Sequence, residues 1–171
     1  MRRPIIVPRF QLVISWSRFR HAGKPRVSSS STDLNRVKEG LVAAGVEIYR
    51  TQPEEIQVAE RVRLHIMDSG IRVRIEDALG VVFTARSQQS DFPNIEADQL
   101  FEKVRTTVGE HATGRGYTEL ASQTVEVKDP MDDSKILDTW HEITYSKAMD
   151  DLEGLISEVQ WALSVDKYVS P

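Results

Sequence analysis

Residues 56–75 read IQVAERVRLHIMDSGIRVRI, and the parity of their apolar members decides the fold. Ile56, Val58, Val62, Leu64 and Ile66 occupy even positions, whereas Ile71, Val73 and Ile75 occupy odd ones. Side chains along a strand alternate between two faces, so the pattern predicts strands and not a helix. The change of parity predicts the turn: a two-residue Ser69-Gly70 loop opposes Ile66 to Val73 and Leu64 to Ile75, with the apolar residues on one face. A second turn at Asp77-Ala78-Leu79-Gly80, with Gly80 left-handed, matches Ile75 to Phe83 and Val73 to Ala85. The expected unit is a three-stranded meander.

Upstream, Thr32 and Asp33 cap a helix over about residues 33–44 that carries Leu34, Val37 and Leu41 at helical spacing and stops at Gly45. Residues 46–51 predict a short strand ended by Gln52-Pro53. Downstream, residues 87–93 form a polar loop, and Asn94 caps a helix with Leu100, Val104 and Val108 at intervals of four and Phe101 beside them; Gly114 and Gly116 end it. Residues 118–127 and 136–145 predict a second antiparallel pair, joined by turn formers at 129–134. A last helix starts at Asp150 or Asp151 and runs to about Tyr168, with Leu152, Leu155, Ile156, Val159 and Leu163 on its apolar face. The order α-(β)-βββ-α-ββ-α defines an α+β class: an antiparallel, or mixed, sheet of about five strands with helices packed on one face.

Of 171 residues, 40% are hydrophobic and 28% charged, and none is cysteine. Thiol catalysis, zinc fingers and CxxC redox chemistry are thereby excluded. A chain of this length removes roughly 68% of its unfolded surface from water, which a single core can sustain without metal or bridges. No apolar stretch approaches the roughly 18 residues of a spanning helix, so a soluble, cytoplasmic chain is expected. The first 32 residues hold seven of the 22 basic residues and none of the 26 acids, which leaves residues 33–171 with a net charge near −11. Residues 1–32 therefore read as a basic extension, and 33–171 as a single α+β domain. The extension is read as disordered or loosely docked, or as an overlong start with the body beginning near Val27, and Ser28 to Ser31 as a polar linker. An organellar transit peptide, a secretory signal cut by Pro8 and Arg9, and a basic arm for nucleic acid or anionic lipid are the alternatives.

If the even residues of the first long strand face inward, Arg61, Arg63 and His65 face outward, joined by Arg72, Arg74, Glu76, Thr84 and Arg86 from its neighbours. Such a basic face suits an acidic protein segment, a phosphorylated group or a nucleic-acid backbone. A solvated face whose arginine stems cover the strands, with Arg63 opposite Glu76, is the plain alternative. Between partners, protein is favoured over nucleic acid, because the face lacks aromatic platforms for bases.

Chemistry-bearing patterns are sparse. The histidines, His21, His65, His111 and His141, show no HExxH or HxH spacing for a metal and read as surface or cap residues. Asp138, Trp140 and Glu142 share one strand face while Thr139 and His141 share the other, which is the nearest approach to an acid-base cluster. Gly114-Arg115-Gly116 follows a helix and precedes a strand, the reverse of a phosphate loop. Residues 129–133 lack the carboxylate spacing of an EF-hand and read as an acidic turn.

The order of elements over residues 33–168 resembles that of type III secretion chaperones and YbjN-like regulators: helix, three strands, helix, two strands, helix. That resemblance implies a small acidic cytoplasmic module that dimerises and binds protein segments, with neither cofactor nor catalysis. The leading expectation is accordingly a non-enzymatic, chaperone-like protein-binding adaptor acting as a homodimer. The alternative is a polyanion or nucleic-acid binder that uses the arginine face and the basic arm. An enzyme centred on Asp138, His141 and Glu142 comes third.

Overall fold

The computed structural model describes residues 31–75 and 78–171, so the expectations for residues 1–30, and for Glu76, lie outside the described residues. Within them, seven strands form one sheet: β1 (Ile48–Gln52), β2 (Glu55–Val62), β3 (His65–Arg74), β4 (Gly80–Gln88), β5 (Thr118–Asp129), β6 (Asp132–Ala148) and β7 (Tyr168–Val169). Their spatial order is β1-β2-β3-β4-β6-β5, antiparallel throughout, and β7 lies parallel to β4. Helices α1 (Ser31–Ala43), α2 (Ala97–Val104), α3 (Glu110–Gly114) and α4 (Leu152–Ser164) complete the α+β fold. A π-helical turn, Arg105–Gly109, joins α2 to α3.

The helices cover one face of the sheet. Leu41 of α1, Val104 of α2 and Leu155 and Val159 of α4 are buried with Ile71, Phe83 and Ile143 of the strands. Both expected glycine stops form. Gly45 (φ +82) follows α1, with Val46 N–H bonded to Leu41 O and Gly45 N–H to Val42 O. Gly116 (φ +87) repeats the pattern after α3, through Tyr117 N–H to Ala112 O and Gly116 N–H to Thr113 O. The 6→1 and 5→2 bonds satisfy carbonyls that a helix end leaves bare.

The meander exists, but its first turn is elsewhere. β2 turns into β3 at Arg63-Leu64, where Val62 pairs with His65 and Arg63 has φ 55. Ser69-Gly70 is instead a bulge inside β3, because the register steps from Gln57↔Arg72 to Ala59↔Asp68. Its polar groups are met locally: Ser69 Oγ donates to Val58 O at 2.8 Å and accepts from Ile71 N–H at 3.2 Å, while Gly70 N–H donates to Asp68 at 2.9 Å. The bulge therefore absorbs the left-handed glycine, whereas the change of parity falls at the true turn, where Val62 pairs with His65; the step at the bulge is two residues and leaves the faces as they were. Val62, Leu64 and Ile66, expected on the inward face, are exposed.

The second register also shifts. Val73 pairs with Val81 and Ile71 with Phe83, so Gly80 is the first residue of β4 rather than a left-handed turn residue. The slip is an even number, so the same faces meet. Helix α2 begins at Ala97 after Glu96, not at Asn94. Asp151 caps α4 by accepting from Gly154 N–H at 2.7 Å, as expected, but α4 stops at Ser164 and Tyr168 enters the sheet. Lys167 ends that helix by donating to Ala162 O at 3.0 Å and Val165 O at 3.3 Å.

Strand directions place two features at one end of the sheet. β3 approaches its turn, and β6 extends toward its own, beyond the Gln88 end of β4. The β6 residues before Trp140 run past the last pairing with β4 and pair with β5 alone, with Asp138 also bonded to Ser90 of the 3-10 turn Gln89–Asp91. They make a two-stranded ribbon with its tip at Pro130-Met131. No helix among the described residues is long and apolar enough to cross a membrane.

Candidate functional site

The structure divides the expected arginine face in two. Arg72, Arg74 and Arg86 stand on the body of the sheet, on the face opposite the helices, while Arg61, Arg63 and His65 stand at the end of the β2–β3 hairpin. The body arginines meet acids. Arg72 makes two bonds of 2.6 Å to Asp68 and lies 3.5 Å from Glu55; Arg74 lies 3.9 Å from the same Glu55. Arg86 lies 3.7 Å from Glu142 and its guanidinium rests 4.4 Å from the centroid of the Trp140 ring. Gln123 completes that row by donating to Glu142 at 3.1 Å. This is a lattice of alternating charge across β2, β3, β4 and β6, ended by the neutral Gln123 of β5, and not a uniformly basic face. On the hairpin, Arg61 is 2.5 Å from Glu47, whereas Arg63 and His65 make no ion pair among the described residues.

Of the acid-base candidates, Asp138 and His141 both meet the 3-10 turn Gln89–Asp91, whereas Glu142 stands apart from them. His141 is buried on the helix side, with Nε2 3.0 Å from Gln89 Oε1 and its ring edge-on to Phe101, so it is a core residue and not a surface or cap histidine. Burial depresses its pKa, a trend that nearby Asp138 opposes. Asp138 holds the 3-10 turn Gln89–Asp91 by accepting from Ser90 N–H at 3.1 Å and Ser90 Oγ at 2.7 Å. Burial alone would raise this carboxyl, but those bonds hold it below its ordinary range. Glu142 lies on the opposite face with Arg86. Among the described residues no group of three or more His, Cys, Asp or Glu side chains could hold a metal.

One feature escaped sequence reasoning altogether. β1 is an edge strand whose outer side pairs with nothing among the described residues. Beside it runs a groove of about 610 Å³ lined by α1, β1 and the β2–β3 hairpin. Lys38 and Val42 of α1, Tyr49 and Arg50 of β1, and Ile66 of β3 line it. Val42, Tyr49 and Ile66 are 54%, 49% and 53% exposed, so three large apolar side chains from three elements share one open groove. Val42 had no place in the α1 stripe, and Ile66 was assigned inward. Because the turn lies at Arg63-Leu64, Ile66 belongs to β3, opposite Arg61, and not to the inward even positions of β2.

No protein-family model matches the sequence, and neither a curated protein nor a solved structure shows significant similarity to the chain.

Proposed function

We propose that the chain is a protein-binding adaptor that receives an extended partner segment along the outer edge of β1. The observation that carries this reading is the coincidence of an open strand edge with an apolar groove beside it. An open edge supplies main-chain donors and acceptors for an added strand, and pockets beside it select alternate side chains. Val42, Tyr49 and Ile66 supply the apolar contacts. Lys38 and Arg50 favour a segment that carries an acid between its apolar residues. The resemblance of element order to secretion chaperones supports a binding role. The charge lattice on the open face gives less support to a phosphate or nucleic-acid ligand, since each body arginine has an acidic neighbour.

The test is retention of a partner from native lysate by full-length wild type, Tyr49→Asp and Arg74→Glu chains, with folding checked by circular dichroism. The reading expects one protein retained by wild type and by Arg74→Glu, and lost with Tyr49→Asp. Equal retention by all three, or loss only with Arg74→Glu, overturns it.

A further inference from the structure

The most exposed large apolar side chains among the described residues are Met131 and Leu64, at 93% and 91%, and they occupy the tips of the two hairpins. Both tips lie at the same end of the sheet, on either side of β4 and β7. Their charges are opposite. The β2–β3 tip, residues 61–67, holds Arg61, Arg63 and His65 and no acid. The β5–β6 tip, residues 129–137, holds Asp129, Asp132 and Asp133 against Lys135 alone. Ile136 and Leu137 add further exposed apolar surface to it.

We propose that this end of the sheet binds a second copy of the chain, the acidic ribbon tip of each protomer seated on the basic hairpin tip of the other. The ribbon extends eight residues, 132–139, beyond the last β4–β6 pair, roughly 25 Å at strand rise. It therefore has the reach to meet a hairpin on a neighbouring molecule. A two-stranded ribbon alone is marginal in water, and single apolar residues at its tip gain nothing from solvent.

Charge selects the symmetry. A two-fold axis normal to the sheet sets ribbon against hairpin twice, with unlike charges at both contacts. An axis lying in the sheet across the strands would oppose like tips, acid to acid and base to base. The first arrangement is closed and isologous, as most soluble dimers are. This proposal goes beyond the groove reading and does not depend on it.

The test measures the mass of the purified full-length chain by light scattering and sedimentation at micromolar concentration and low salt. Wild type is expected at twice the 19.4 kDa chain mass. Arg63→Glu alone and Asp133→Lys alone each place like charges at both contacts, so each shifts toward monomer. Mixed in equal amounts they restore a dimer, because every contact in the heterodimer again joins unlike charges. Leu64→Asp and Met131→Asp alter side chains that touch almost nothing within a protomer, so a folded monomer from either isolates the interface. A monomeric wild type, or reversals that leave the dimer intact, overturns the proposal. A monomeric wild type that still retains a partner lost with Tyr49→Asp overturns the dimer and leaves the groove reading standing.

Discussion

Asp68 and Arg72 grip each other across the Ser69-Gly70 bulge through two bonds of 2.6 Å. The pair spans the extra residues that the register step leaves in β3. A two-pronged carboxylate–guanidinium contact exceeds a simple surface pair, yet both side chains retain solvent contact. Asp68→Asn should therefore cost about 1 kcal/mol in urea unfolding. Burial pushes the Asp68 carboxyl up, but the bonds from Arg72 and Gly70 N–H, with the charges of Arg72 and Arg86, hold it below its ordinary 3.8. The unfolded chain thus takes up this proton first as pH falls. The contribution of the pair is complete above about pH 5 and fades through and below pH 4, and Asp68→Asn should remove that part of the acid sensitivity.

The meander was legible because Ile56, Val58, Ile71 and Val73 alternate strictly and all become core. Its turn was not. Ser-Gly serves a bulge as well as it serves a two-residue loop, and the actual turn places Arg63, a residue with no turn preference, at φ 55. Local chemistry could not separate the two registers. The difference lies in the pairing of β3 with β4, which is remote from the hairpin itself.

Gly109 packs against the hydroxyl end of Tyr145, so an added Cβ would overlap the hydroxyl and stand 3.2 Å from Cζ. That hydroxyl is buried with no hydrogen-bond partner among the described residues. Gly109→Ala should destabilise the protein by about 2 kcal/mol through overpacking at the π-helical turn. Tyr145→Phe removes an unpaired polar group and should be neutral or stabilising by up to about 1 kcal/mol. In the double variant the cost of Gly109→Ala should fall, giving a favourable coupling in a double-mutant cycle. Strict additivity would contradict the contact.

Glu158, buried on α4, accepts from Arg115 Nη2 at 3.0 Å and Lys147 Nζ at 2.8 Å. It ties α3, α4 and β6 at one point, and Arg115 also stacks on Trp161. Burial would raise its pKa, but the two cations lower it. Glu158→Ala leaves both cations without this carboxylate and should cost about 2 kcal/mol. Lys147→Met, which keeps the Arg115 contact, should cost less than half of that in the same denaturant titration.

His141 works in the opposite direction from a stabilising charge. Burial holds its pKa below 6.5, so the unfolded chain binds the proton more readily. Stability should fall as pH drops from 7 toward 5 and level off once the native imidazole also protonates. His141→Gln should flatten that slope. A wild-type midpoint independent of pH over this interval would show that the imidazole titrates as if in water.

Less of the candidate site than of the fold could be read from sequence. The alternation of Arg72, Arg74 and Arg86 correctly placed them away from the core. What it could not reveal was the company they keep, because Glu55, Glu142 and Trp140 arrive through strand order. Tyr49 and Val42 gave no signal: a tyrosine on a short strand and a valine late in a helix are ordinary residues until an open edge brings them together.

Docking of a partner segment on the β1 edge is measurable by backbone amide exchange. Full-length chain would be measured alone and saturated with the purified partner that wild type retains and Tyr49→Asp does not. Alternate amides of Ile48–Gln52, those directed away from β2, should become protected on binding. Unchanged exchange along β1, with protection confined to the arginine-bearing strands β3 and β4, would contradict it.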